Sequence, residues 1–300
     1  MSYEEFKAAV LEILNDFYEN DAEIHIIDVE KNNRVKLHGL WIKDKEAESG
    51  MAPLVYLQNI YKLYQDGLPL EDCVGEIIDF ANMNRIPADL VKISKMLLSD
   101  WEHAKSRVYP IILAGKPEGK ELSDMVSRGF LDMSVAYIIR DKILDGVNFS
   151  IMISHKILKQ YGISEEELHN QAMENLRHDE YVLQDFADYF RGKINNDELA
   201  DTIGLNQEGL MYLFRNRERY YGAAGILSRD ILKRLVPDVN QYVLPYSLHE
   251  LVFIPDRGVI SRDILDGLMG IIEEECIAKE EQLNDHCYYY DAKTGEICSC

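Results

Sequence analysis

Phe149-Ser-Ile-Met-Ile-Ser-His-Lys-Ile-Leu-Lys-Gln-Tyr-Gly162 reads as a strand that ends at Ile153 and runs directly into a helix. Ser154 stands at the helix start, where its hydroxyl can accept a backbone N–H that has no partner within the helix. Ile157 and Leu158 open the apolar face. Gly162 supplies the stop, because glycine takes the left-handed backbone that ends many helices. The same order recurs along the chain. Leu54 to Leu57 leads to Asn59 and the helical Ile60 to Tyr64, and Ala223 to Leu227 leads to Ser228-Arg-Asp-Ile-Leu232. Leu251 to Ile254 leads, after a turn at Asp256-Arg-Gly258, to Ser261-Arg-Asp-Ile-Leu265. Serine caps, aspartate faces the positive helix start, and Ile-Leu begins burial. The segments between the two Ser-Arg-Asp-Ile-Leu copies do not match, so this is not a solenoid repeat. Strand-then-capped-helix units with hairpins predict an α+β fold with mixed or antiparallel sheets.

The flanking chain agrees. Ser2 with Glu5 is a capping box, followed by Phe6, Val10, Ile13, Leu14 and Phe17 at helical spacing. Glu23 to Glu30 alternates, Lys31-Asn-Asn-Arg34 has turn chemistry, and Val35, Leu37 and Trp41 return, which predicts a hairpin. Further helices are expected over Leu70 to Asn82, over Leu90 to His103 opened by Asp89, and after Ser164-Glu-Glu-Glu167. Met133 to Ile139 and Gly209 to Phe214 read as strands. Asp179 to Leu205 reads as a polar-rich helical insertion, and Ile264 to Glu281 as an amphipathic helix with an acidic second half. Tyr288 to Tyr290 and Glu296-Ile297 form a hairpin around Lys293-Thr-Gly295. Asn84 to Asp89, with Pro87, marks a boundary between an N-terminal unit, 1–86, and a C-terminal unit, 87–300.

Composition narrows the function classes. The formal charge is −21, from 53 acidic and 32 basic residues. It is unevenly spread: residues 1–50 carry 12 acids against 6 bases, residues 151–200 carry 10 against 5, and residues 251–300 carry 11 against 4. Such a surface repels phosphates, so direct nucleic-acid binding is disfavoured. No apolar run reaches the ~20 residues of a membrane span, and Met1 to Phe6 lacks the start of an export signal. The five cysteines, Cys73, Cys276, Cys287, Cys298 and Cys300, include no C-x-x-C pair, which fits a reducing cytoplasm.

The most enzyme-like stretch is Leu244-Pro-Tyr-Ser-Leu-His-Glu250, with Ser247, His249 and Glu250 as candidate hydrolase residues. A serine nucleophile needs its base within about 3 Å. On an extended chain the two side chains stand roughly 6 to 7 Å apart, and no G-x-S-x-G elbow accompanies them. The expectation is a loop between two strands in which both bond local backbone. If Asn32 and Asn33 form a two-residue turn, His25 and His38 become diagonal neighbours on one hairpin face, about 7 to 8 Å apart. They would hold a metal only with further ligands, and two hydrogen-bonded histidines are expected instead. Cys298-Ser-Cys300 has the spacing of a soft-metal pair but sits where a frayed tail is expected. Arg215-Asn-Arg-Glu-Arg-Tyr-Tyr221 mixes cations and aromatics as nucleic-acid surfaces do, and reads better as a hairpin turn with solvated arginines. Gly222-Ala-Ala-Gly225 lacks the P-loop pattern and is expected in a strand, where small residues allow close packing. No cofactor is expected.

Taken together, the chain resembles an uncharacterised bacterial family known only as a domain of unknown function. The resemblance covers almost the whole chain. It is carried by Lys31-Asn-Asn-Arg-Val-Lys-Leu-His-Gly-Leu40, Pro53-Leu-Val-Tyr-Leu57, Gly162-Ile-Ser-Glu-Glu-Glu-Leu168, Tyr221-Gly-Ala-Ala-Gly-Ile-Leu227 and Leu244-Pro-Tyr-Ser-Leu-His-Glu250. The chain departs at Tyr246, at Gly225 where relatives favour another alanine, and across Asp179 to Leu205. The resemblance implies an α+β fold in a bacterial cytoplasm, an association with mobile elements, and no activity to carry over. The expected role is a non-enzymatic protein-interaction or accessory protein whose partner is another protein. The alternatives are an acidic mimic of nucleic acid that blocks a basic groove, and a small hydrolase using Ser247 and His249.

Overall fold

The computed structural model describes residues 1–19, 21–45, 51–118, 122–142, 148–190, 209–245, 247–258, 265, 267 and 277–300. The chain divides into two compact units, residues 1–31 with 35–96, and residues 32–34 with 97–300. The division lies after Met96, whereas the composition break at Asn84 to Asp89 placed it after Ile86.

In the first unit, helix α1 (Tyr3–Tyr18) begins at the Ser2–Glu5 capping box. It lays Phe6, Val10 and Leu14 on a three-stranded antiparallel sheet of β1 (Ala22–Glu30), β2 (Lys36–Asp44) and β3 (Leu54–Tyr56). Leu40, Ile42 and Val55 face the helices, joined by residues of α2 (Leu57–Gln65) and α3 (Leu70–Met83). Each such buried side chain contributes roughly 1.5–3 kcal/mol relative to exposure. The β1–β2 connection is longer than two residues. Lys31 N–H donates to the Val35 carbonyl, Asn32–Arg34 forms a 3-10 turn, and Glu30 pairs with Lys36. Asn33 and Arg34 both take positive φ, 58° and 56°. Relative to a two-residue turn the register moves by one residue, which sends every side chain of one strand to the other face of its partner.

The expected helix Leu90 to His103 is two helices, α4 (Ala88–Ser99) and α5 (Trp101–Ala104). Asp100 interrupts them with extended backbone and caps the second by accepting from the His103 N–H. Helix α2 starts at Leu57, before Asn59, and has no side-chain cap. Serines cap as expected at α6 (His155–Tyr161), at α7 (Glu165–Arg177) and, with Ser228 as cap, further along the chain.

The second unit holds two antiparallel sheets. In the first, the long β6 (Met133–Lys142) has β4 (Val108–Leu113) along one edge, and β5 (Ser127–Phe130) and β7 (Asn148–Met152) end to end along the other. The second sheet is six-stranded, in the order β13-β12-β10-β11-β9-β8. Its strands are β8 (Tyr181–Asp185), β9 (Tyr212–Asn216), β10 (Gln241–Leu244), β11 (Glu250–Pro255), β12 (Tyr288–Asp291) and β13 (Glu296–Ser299). Ile111, Ile138, Phe214, Phe253, Tyr288 and Tyr290 meet in one core with Ala223 and Ile226. Residues Asn32–Arg34 belong to this unit. Asn32 Oδ1 accepts from the Ala114 N–H at 2.9 Å, and Asn32 Nδ2 donates to the Gln282 carbonyl at 2.6 Å.

Three expectations are corrected here. Ala223 to Leu227 is not a strand but part of a 3-10 helix, Gly222–Leu227, entered through Tyr221 at φ 53° and leading to α9 (Arg229–Leu235). The close packing is nevertheless real: a Cβ on Gly222 would stand 2.5 Å from the His249 carbonyl oxygen. Asp179 to Leu205 does not begin as a helix, because Tyr181–Asp185 is β8, followed by the short α8 (Phe186–Phe190); residues 191–205 lie outside the described residues. Lys279–Glu281 is a 3-10 turn, so the expected helix over Ile264 to Glu281 does not run to its end. Most of that stretch, and Ser261 ahead of it, lie outside the described residues.

Candidate functional site

The stretch Ser247 to Glu250 is the turn between β10 and β11. Ser247 N–H donates to the Glu250 carbonyl, and Ser247 Oγ accepts from the N–H groups of His249 and Glu250, both at 3.1 Å. The serine closes its own turn, as hydroxyl residues in turns commonly do. His249 points elsewhere. Its Nδ1 accepts from the Tyr221 N–H at 3.0 Å, and its ring stacks on Tyr220 and tilts against Tyr221. That bond assigns the proton to Nε2, which faces Glu281 Oε1 at 3.8 Å. Burial holds the imidazole below its ordinary pKa, and Glu281 opposes the shift. Ser247 bonds local backbone, as expected, whereas His249 bonds the backbone of Tyr221, 28 residues earlier, rather than its own turn; no hydrogen bond joins the two side chains.

Glu250 joins a cluster that the sequence did not reveal. It lies directly across the ladder from Arg215, whose Nε is 3.7 Å from Glu250 Oε1, with both side chains about nine-tenths buried. Arg215 Nη2 donates to Gln184 Oε1 at 2.9 Å. Arg215 is thus not a solvated turn residue. The signal was present in Leu213-Phe-Arg215, whose apolar flanks place the arginine inside a strand. Arg217 does lie in solvent, paired with Glu180. Asn216 is fully buried and clamps the following turn, its side chain bonding the Tyr220 N–H and carbonyl.

The two histidine candidates fall on opposite faces of the first hairpin. His25 pairs with Trp41 and stacks on its ring, whereas His38 pairs with Asp28 on the face toward the helices. There His38 Nδ1 lies 3.1 Å from both Tyr3 Oη and Gln58 Nε2. Burial raises the Tyr3 phenol to about 12. The register shift at Asn32–Arg34 is what separates the pair. Among the described residues, no group of three or more His, Cys, Asp or Glu side chains is placed to hold a metal.

A cleft of about 730 Å³ opens in the first unit where the C-terminal ends of α1 and α3 meet the ends of β1 and β2. That volume is in the usual range for binding sites. Tyr18, Ile42, Met51, Pro53, Ala81 and Ile86 give it apolar walls. Among the described residues, Lys43, Lys45 and Arg85 also line it, against Asp21 and Asp44. Beside the lining residues Tyr18, Ala81 and Asn82 stand Phe17, Phe80 and Met83, which are 59%, 43% and 85% exposed. Exposed large apolar side chains next in sequence to the lining of a cleft make that surface a candidate interaction site. The sequence reading placed Phe17 in the apolar stripe of the first helix and singled out neither Phe80 nor Met83.

Fold and sites together define an antiparallel α+β protein in two compact units, with its most enzyme-like residues built into turns and strand ladders. The chain belongs to the Family of unknown function (DUF5688), whose model matches residues 3–292. No curated protein and no solved structure matches it. Among the described residues, no helix is long and apolar enough to cross a membrane.

Proposed function

We propose that the protein is a non-enzymatic, bacterial, cytoplasmic protein-binding or accessory protein that uses the first-unit cleft to hold a partner. The bacterial and cytoplasmic setting is carried over from the sequence resemblance and composition. The observation that carries the binding role is the cleft itself, with apolar walls and the cations Lys43, Lys45 and Arg85 in its described lining, and with the exposed Phe17, Phe80 and Met83 next in sequence to lining residues. Its chemistry suits a segment of another protein that presents an apolar side chain flanked by carboxylates. The hydrolase reading gains no support from Ser247 and His249, because Ser247 Oγ and His249 Nδ1 accept from backbone N–H groups and not from each other. The nucleic-acid mimic gains little, because Glu102, Glu174, Glu180 and Glu296 are each paired with a basic side chain rather than arrayed alone.

The test compares wild type with a Phe80→Asp, Met83→Asp double variant as baits in native lysate. The wild type should retain one stoichiometric partner. The double variant should lose it at an unchanged melting temperature, since two anchors at roughly 1.5–3 kcal/mol each amount to at least a hundredfold in Kd. Recovery of no stoichiometric partner, or of the same partner by both baits, would overturn the proposal.

A further inference from the structure

The expectation of a frayed tail at Cys298-Ser-Cys300 does not hold. Residues Glu296–Ser299 form β13, paired with β12 in the register Tyr288↔Ser299, Tyr289↔Cys298 and Tyr290↔Ile297. One step further along the ladder, Cys300 stands opposite Cys287, and its N–H donates to the Cys287 carbonyl at 3.4 Å. Directly opposed residues in an antiparallel pair have Cα atoms about 4.5 to 5.5 Å apart, inside the range that a disulfide spans. The two sulfurs are 2.8 Å apart. They differ in access: Cys287 is 2% exposed, while Cys300 is exposed. Cys298, two residues back on the same face, is also exposed, and its S–H points to the Tyr289 carbonyl at 3.7 Å. Cys73 provides the contrast. It is fully buried in the first unit, its thiol directed at the Ile60 and Leu68 carbonyls, and burial raises its pKa.

From this geometry we propose that Cys287 and Cys300 are a dithiol–disulfide redox pair, oxidised by a low-molecular-weight disulfide such as oxidised glutathione. The exposed Cys300 thiolate attacks the small disulfide, forming a mixed disulfide and releasing one small thiol. The Cys287 thiolate then attacks the Cys300 sulfur and expels the second. Two protein thiols are oxidised to one disulfide, one small disulfide is reduced to two thiols, and the two thiol protons pass to the leaving groups. Before oxidation, among the described residues, β13 is an edge strand paired with β12 alone. Afterwards it is covalently tied to the six-stranded sheet, so the redox state of the surroundings sets how firmly this edge is closed.

The test equilibrates the folded full-length chain in glutathione buffers of graded ratio, quenches exchange with acid, alkylates the remaining thiols in urea so that buried ones also react, and maps the products by mass spectrometry. The pair should disappear from alkylation together and reappear as one Cys287–Cys300 cross-linked peptide, while Cys73 stays alkylated. Cys298→Ser should retain the cross-link. Cys300→Ser, a change at an exposed position, should abolish it while preserving the circular dichroism spectrum. Because the fold holds the sulfurs together, the folded chain should oxidise in buffers at least about tenfold more reducing than the urea-unfolded chain requires. Alkylation of Cys287 and Cys300 across the whole series, a bond through Cys298 instead, or equal midpoints for the folded and unfolded chain would each overturn the proposal.

Discussion

His249, a catalytic candidate in the sequence, makes a bond that holds the backbone. Its Nδ1 is the acceptor for the Tyr221 N–H, so the ring holds the entry to the Gly222–Leu227 turn. Burial lowers its pKa from the ordinary 6.5. Between 6.5 and that lower value the unfolded chain binds more protons than the folded one, so stability rises with pH through this window. The contribution is complete above about 6.5 and is lost as pH falls through the folded pKa. Urea unfolding from pH 8 to pH 5 should show this acid-side loss. At pH 7, His249→Ala should cost about 1–2 kcal/mol, because it leaves a partly buried N–H without its acceptor. The variant should also flatten the acid slope without removing it, since burial lowers His169 as well. An unchanged slope in the variant would remove His249 from the account.

At the scale of elements, the sequence declared its helices better than its connections. Ser154, Ser164 and Ser228 cap as read, because an N-cap is a local bargain between one hydroxyl and one N–H. The β1–β2 turn was not legible. Its Asn-Asn pair satisfies two turn types, and the choice between them is made by Asn32, whose amide is bonded to Ala114 and Gln282 far along the chain. The segment Gly222–Leu227 was misread for the same kind of reason: its small residues signal close approach in either a strand or a 3-10 turn. The candidate-site turn at Ser247 was legible as a loop with local bonds, whereas the Arg215–Glu250 pair depends on a ladder between strands distant in sequence. The glycines of the 3-10 turn give a ranked prediction. A Cβ at Gly222 meets the His249 carbonyl oxygen at 2.5 Å and the Asn216 nitrogen at 2.6 Å, both backbone atoms. At Gly225 it meets the rings of Tyr181 and Phe214 at 2.3 and 2.7 Å. Both alanine variants should lose stability, Gly225→Ala by about 1–3 kcal/mol and Gly222→Ala by more, because backbone cannot step aside. The order is read from denaturant midpoints. A Gly225→Ala variant as stable as wild type would mean that the two rings have room to retreat.

For the whole molecule, charge is the dominant long-range term. A formal charge of −21 destabilises any compact state by self-repulsion, and the screening length shrinks to about 10 Å at 0.1 M salt. Exposed pairs such as Arg217–Glu180 offset little of this, at about 0–1 kcal/mol each. The thermal midpoint should therefore rise as sodium chloride is raised from about 0.01 to 0.3 M, as followed by circular dichroism. A falling midpoint would show that attractive pairs outweigh the repulsion. The three residues Asn32–Arg34, which belong with the second unit although their neighbours on both sides belong with the first, carry a last consequence. During synthesis Asn32 leaves the ribosome long before its acceptor carbonyl at Gln282, 250 positions later, exists. A gene fragment encoding residues 97–300 would deliver the second unit without a piece that is native to it, leaving the Ala114 N–H and the Gln282 carbonyl without the asparagine that meets them. Dissecting this protein at its apparent border would thus divide a unit that is continuous in space and interrupted in sequence.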